Sequence, residues 1–203
     1  GLGAMVCSAV LSAMQTGTLA NRMSDCIGAV MFGNGCREEG ATYPGGGAPG
    51  AGILPRASVG TPGLIRNADT PSWWWEMAIP DDPIAVCPIS NAGQAINVIA
   101  DALMTTTGGK DLLPQMAKAV GTLKMTTATW KVVASRLTNR SANTEALAWA
   151  ERVFALSPSP HTMYSAVSMT HPPTDLSGLA PNATPVDAAL AYINLRGTTI
   201  PPR

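Results

Sequence analysis

The sequence predicts a mainly α fold, with α+β as the alternative arrangement. A helix-rich C-terminal half follows a long irregular Gly/Pro-rich arm. Three observations carry this reading. From Ile89 onward, apolar side chains recur every three or four residues, the period of a helix with one buried face. Between Gly33 and Pro88, ten glycines and eight prolines interrupt any regular element. Charged residues make up 13% of the 203-residue chain, about half of the ordinary share, while 46% is apolar. Thirteen Lys and Arg balance thirteen Asp and Glu. This balance excludes a highly charged disordered tail and a strongly basic nucleic-acid-binding domain. A surface this poor in charge is expected to be covered by neighbouring chains.

Residues 1–32 form an N-terminal amphipathic helix region. Leu2, Met5, Val6, Ala9, Val10, Ala13 and Met14 fall at helical spacing, with Ser, Gln and Thr on the back face. No charge occurs before Arg22, yet the stretch is too dilute in apolar residues for a membrane span. Residues 33–88 form the irregular arm, expected to lie extended on a partner surface. Trp73, Trp74, Trp75 and Met77 within it are candidate interface anchors, because buried aromatic side chains dominate protein contacts.

Residues 89–203 read as a helical domain. Ser90 or Asn91 can cap a first helix through Ile96, Ile99 and Leu103, ending at Gly108-Gly109. Met116, Val120, Leu123, Thr127, Trp130, Ala134 and Leu137 then follow a 4-3 spacing over about three heptads, a seam for helix packing. Further helices are predicted over 144–156 and from Ser159-Pro160 toward Met169. The last helix has the clearest start, with Thr184 as cap, Pro185 at its first position and Asp187 three residues beyond the cap. Val186, Ala189, Leu190 and Ile193 form its expected inward face.

Tests for chemistry give no catalytic residues and no cofactor. Gly45–Gly50 fits G-x-G-x-x-G, but Pro49 prevents the helix that a dinucleotide site needs. G-x-S-x-G and H-E-x-x-H are absent. The adjacent acids Glu38-Glu39 and Asp81-Asp82 read as a solvated rim. His161 and His171 read as structural or solvent-exposed, and no metal site is expected. Cys7, Cys26, Cys36 and Cys87 include no C-x-x-C and read as buried free thiols. Between 110 and 140 a basic excess places Lys118, Lys124, Lys131, Arg136 and Arg140 as candidates to face a nucleic acid through phosphate contacts.

In composition and texture, with 31 Ala, 20 Thr, 20 Gly and 17 Pro beside few charges, the chain resembles viral capsid proteins, such as the shell proteins of double-stranded RNA viruses of fungi and protists. The resemblance implies a non-enzymatic subunit or fragment of an icosahedral shell. Its partners would be copies of itself or other chains of the same shell, and genomic RNA held non-specifically, with no stable membrane span. Its place would be the virion and the host cytoplasm. Two alternatives stand beside it. One is a small ligand-binding or hydrolytic domain from a high-GC organism, marked by a pocket joining His161 or His171 to acids. The other is a non-catalytic subunit of a large cellular complex.

Overall fold

The computed structural model describes residues 2–47, 49–54, 67–90 and 160–199, together with Gly93, Ile96, Asn97 and Ala100. The chain opens with helix α1 (Leu2–Thr16), then a 3-10 helix (Ala20–Asp25) and strand β1 (Ala29–Phe32). Strand β2 (Trp74–Met77) follows the Gly/Pro-rich segment. A short 3-10 turn (Pro160–Thr162) and helix α2 (Pro185–Thr198) complete the described elements.

β1 and β2 pair in parallel, with Ala29 opposite Trp74 and Phe32 opposite Met77. Every residue of β2 is buried, as for a strand covered on both faces in a parallel sheet. Alternation along β2 sends Trp74 toward α1, where it packs with Ala4, Leu11, Met14 and Met31. Trp75 and Met77 point the other way and pack with Ile79, Tyr164, Ala188 and Tyr192. The sheet therefore lies between α1 on one face and α2 on the other.

This overturns the expected fold class. Among the described residues the chain is a mixed α and β structure around a small parallel sheet, not a helix-rich one. In the C-terminal part, 160–184 is built of turns, with the single 3-10 turn where a helix toward Met169 was predicted. The Gly/Pro-rich segment is irregular but forms part of the interior. Ile53 N–H donates to Ile84 O at 2.8 Å, Leu54 N–H to Gly35 O at 2.9 Å, and Ala51 bridges Cys87. Gly52 permits this packing: a Cβ there would lie 2.2 Å from Gly35 O. Composition showed that the segment could not be a helix, but not that its glycines serve close backbone contacts.

Both helix faces are rotated relative to expectation. α1 buries Ala4, Met5, Ser8, Leu11 and Met14, and leaves Val6 (61%) and Val10 (44%) exposed. α2 buries Pro185, Ala188, Ala189 and Tyr192, and exposes Leu190 and Ile193. Its start is as predicted: Thr184 Oγ1 accepts from Asp187 N–H, and Asp187 Oδ2 accepts from Thr184 N–H. Ser90 likewise accepts from Gly93 N–H, and Gly93, Ile96, Asn97 and Ala100 are each helical. The seam over 116–137 and the helix over 144–156 lie outside the described residues.

Candidate active site

Parallel pairing puts the carboxyl ends of both strands on one side, the edge where open α/β sheets place their ligand sites. Gly33 leaves β1 there, and the Ala78–Asp82 turn leaves β2. Asp82 N–H donates to Ile79 O at 3.2 Å, closing a turn with Pro80 second and Asp81 third. Asp81 takes a φ of +60°, which suits the third position of a type II turn. The turn aims Asp82 inward, where it is fully buried. Its Oδ1 accepts Ile84 N–H at 2.8 Å and Ala85 N–H at 3.2 Å.

His161, on the Pro160–Thr162 turn, brings Nδ1 to 3.0 Å from Asp82 Oδ1 and 3.2 Å from Oδ2. The Tyr164 hydroxyl donates to Oδ2. Gly33 makes room for the imidazole: it sits at φ +58°, and a Cβ there would lie 2.5 Å from His161 Cε1. Burial alone would push the Asp82 carboxyl up. The His161 hydrogen bond and charge, the Tyr164 hydroxyl and the Ile84 N–H outweigh it and hold Asp82 below the usual carboxylate range. An ionised Asp82 only accepts, so His161 Nδ1 carries the hydrogen of this contact.

Two further groups brace this edge. Arg37 is fully buried and donates to three carbonyls: Nε to Ala85 O at 2.7 Å, Nη1 to Ala41 O and Nη2 to Pro49 O, both at 2.9 Å. It thereby ties the Asp82 loop to the segment after β1. Behind the sheet, Glu76 Oε1 accepts from Asn34 Nδ2 and Trp74 Nε1, each at 2.8 Å, while Oε2 is buried without a partner. Burial pushes the Glu76 carboxyl up to about 7, against the pull of Trp74, Asn34 and Arg37. The buried Cys36 thiol is pushed up to about 12 by burial and by Glu76. An open groove of about 260 Å³ runs beside the His161 turn, with Pro160, Met163, Met77, Ile79, Val167 and Met169 among its walls.

The residues singled out in the sequence are distributed as follows. Trp74, Trp75 and Met77 are buried in the chain's own core, and Trp73 is half-buried with its carbonyl accepting the Tyr192 hydroxyl at 2.8 Å. Lys118, Lys124, Lys131, Arg136 and Arg140 lie outside the described residues. Glu38 uses both carboxylate oxygens on the N–H groups of Asp69 and Thr70. His171 is exposed on the groove, and its carbonyl accepts the Tyr43 hydroxyl. All four cysteines are free; Cys36 and Cys87 are buried, whereas Cys26 is half-buried and Cys7 is exposed, against the expectation of buried thiols. Among the described residues no group of three or more His, Cys, Asp or Glu could hold a metal, and no helix is long and apolar enough to cross a membrane.

The sequence placed Asp82 on a solvated rim and gave His161 a structural or exposed role; Asp82 is instead fully buried against His161. They stand 79 positions apart, and the available signal was an acid between two prolines just after an aromatic strand. Comparison with family models, curated proteins and solved structures finds no match to the chain.

Proposed function

We propose that Asp82 and His161 are the orienting acid and the general base of a hydrolytic acyl-transfer site. The observation that carries this reading is the 3.0 Å contact between His161 Nδ1 and a fully buried Asp82 at the carboxyl end of a parallel sheet. In Ser-His-Asp hydrolases such a carboxylate fixes the imidazole tautomer and stabilises the imidazolium. Asp82 also precedes His161 in the chain, the order in which the acid and the base follow the nucleophile in α/β-hydrolases. In the proposed step a nucleophile O–H gives its proton to His161 Nε2 as its oxygen attacks an ester carbonyl carbon. His161 then returns that proton to the departing oxygen. The hydrogen bonds described for His161 run to Asp82, and a water at Nε2 serves as the nucleophile of the proposed step. The apolar groove beside the His161 turn suits the acyl part of the substrate.

The test is hydrolysis of p-nitrophenyl esters of graded acyl length by the full-length protein. His161→Ala is expected to lower kcat/KM by about 100-fold or more. Asp82→Asn is expected to lower it by up to about 10⁴-fold, through the wrong tautomer. Wild-type hydrolysis at the solution rate, or equal rates in wild type and His161→Ala, overturns the reading.

A second reading, a subunit of a larger assembly such as a viral shell, draws on a different observation. Val6, Leu190 and Ile193 are 61%, 57% and 56% exposed on the outer faces of α1 and α2. Isolated apolar residues on a surface are ordinary, but apolar outer stripes on two helices in a chain with 13% charge favour coverage by other chains. Light scattering on native material should then show large oligomers, and a stable monomer overturns it. The genome-facing role of Lys118, Lys124, Lys131, Arg136 and Arg140 predicts less packaged nucleic acid on neutral substitution. Unchanged packaging removes it.

A further inference from the structure

Asp82 has more partners than a carboxylate needs merely to hold one imidazole. Oδ1 takes two backbone N–H groups and His161, and Oδ2 takes His161 and the Tyr164 hydroxyl. Tyr164 is 7% exposed, and its ring meets Phe32 edge-on at 5.5 Å and 72°. The ring lies beside β1, and the hydroxyl meets Oδ2 rather than solvent. The backbone donors fix one oxygen of Asp82, and Tyr164 fixes the other. Rotation about the Asp82 side chain would break bonds at both ends.

We propose that Tyr164 is a positioning residue for the Asp82–His161 pair: its hydroxyl anchors Oδ2, so that the carboxylate faces the imidazole in one orientation only. The role rests on the hydrolytic reading for its consequence in catalysis, while the coupling of Tyr164 to Asp82 stands on geometry alone. The charged and titratable groups around Asp82 can be named from each side. His161 and Tyr164 come from the 160–164 turn. Arg37 reaches the loop through the Ala85 carbonyl, and the exit of β1 contributes Gly33, which has no side chain. The same hydroxyl helps keep Asp82 ionised despite its burial, and burial together with Asp82 pushes the Tyr164 phenol up, so it remains a donor. With one donor fewer, the carboxylate would bind protons more tightly, its own and the one it shares with the imidazolium.

The experiment compares wild type, Tyr164→Phe and Phe32→Leu in the full-length protein. Two quantities are read: the ¹³C titration midpoint of the Asp82 carboxyl, and the pH profile of kcat/KM for a p-nitrophenyl ester. Tyr164→Phe keeps the ring and removes the hydroxyl. It should raise the Asp82 midpoint by about one pH unit, a tenfold change in its ionisation constant, as expected for one lost hydrogen bond to a charge. The acid limb of kcat/KM should move to higher pH with it. Phe32→Leu disturbs the same ring packing but keeps the hydroxyl, and should leave both quantities at their wild-type positions. An Asp82 midpoint unmoved by Tyr164→Phe, or moved equally by Phe32→Leu, overturns the role of Tyr164 even in a protein that hydrolyses the ester. A midpoint that moves in a protein without esterase activity upholds the Tyr164–Asp82 coupling and overturns the hydrolytic reading instead.

Discussion

Gly33→Ala tests the site through a residue that makes no hydrogen bond to it with a side chain. Gly33 sits at φ +58°, where an alanine costs about 1 kcal/mol in backbone strain. The new methyl would fall 2.5 Å from His161 Cε1, 2.7 Å from Nδ1 and 3.1 Å from Asp82 Oδ2. Carbon contacts are comfortable at about 3.5–4 Å, so the ring must withdraw by about 1 Å. The Nδ1–Oδ1 distance then rises from 3.0 Å past the limit of a hydrogen bond. A buried carboxylate losing one of its hydrogen-bond donors adds about 1–3 kcal/mol. Gly40→Ala is the control: φ is +75°, and a Cβ there meets nothing within 4 Å, so only backbone strain remains. Urea unfolding at neutral pH should place Gly33→Ala about 1–3 kcal/mol below Gly40→Ala. Ester hydrolysis should fall about 100-fold in Gly33→Ala alone, as for a 1 Å misplacement of a catalytic group. Equal stability of the two variants, with wild-type hydrolysis in both, would refute the placement of His161 against Gly33.

Other perturbations address the rest of the fold. Glu76 titrates near 7 in the folded protein against an ordinary 4.5, so the folded state holds its proton more tightly. Stability should therefore fall as pH rises from 4.5 to 7, by about 3 kcal/mol at most, and level off above 7. Glu76→Gln should remove that decline in urea midpoints measured at pH 5 and pH 8; an undiminished decline would place its source elsewhere. Asp82 has the opposite sign: its folded value is depressed, so its contribution is present above the ordinary carboxylate range and lost as pH falls through the lower folded value. Trp75→Ala removes a ring stacked on Tyr192 at 3.8 Å and should cost about 3–5 kcal/mol in unfolding of the isolated chain. Unchanged stability would mean that Trp75 serves a contact outside this core. Thr184→Ala removes the cap of α2 and should cost about 1 kcal/mol by thermal or urea unfolding, with no change meaning that the capping box is not stabilising.

Local chemistry was legible and tertiary chemistry was not. The start of α2 could be read because Thr184, Pro185 and Asp187 act within one turn. Its buried face could not, because the deciding residue is Tyr192. Its ring stacks on Trp75 and its hydroxyl reaches Trp73 O, and both partners lie more than a hundred positions away. Ser8 faces inward on α1 for the same kind of reason: it accepts from Asn34 at 2.9 Å and from Asn67 at 3.2 Å. The aromatic run read as an interface anchor because Trp is enriched in such contacts, while here Trp74 and Trp75 fill the two faces of β2 within this chain. In the candidate site, the acid sits in a turn of the breaker-rich segment, and the base sits on a 3-10 turn where the sequence predicted a helix toward Met169. The parallel pairing of two four-residue strands sets Gly33 beside the Asp82 turn, and the room that Gly33 leaves is where His161 meets Asp82.

Two buried carboxylates six residues apart show why Asp82, rather than Glu76, carries the proposed site. Glu76 and Asp82 are both fully buried, and burial pushes each carboxyl up. Glu76 receives hydrogen bonds from an indole and an amide, and one oxygen is left unpartnered, so neutral donors fail to offset desolvation. Asp82 receives two backbone N–H groups, a phenol and a group that can itself become a cation, and its carboxyl ends below the usual range. A carboxylate kept ionised in the interior is stabilised only when its surroundings are built around the charge. At Glu76 they are built around a hydrogen-bonded core of polar side chains. At Asp82 they are built around the imidazole, which takes up a positive charge when it accepts a proton at Nε2. Divergent environments for neighbouring acids are the mark of assigned acid–base roles, and only Asp82 faces a partner that can change its charge during a reaction.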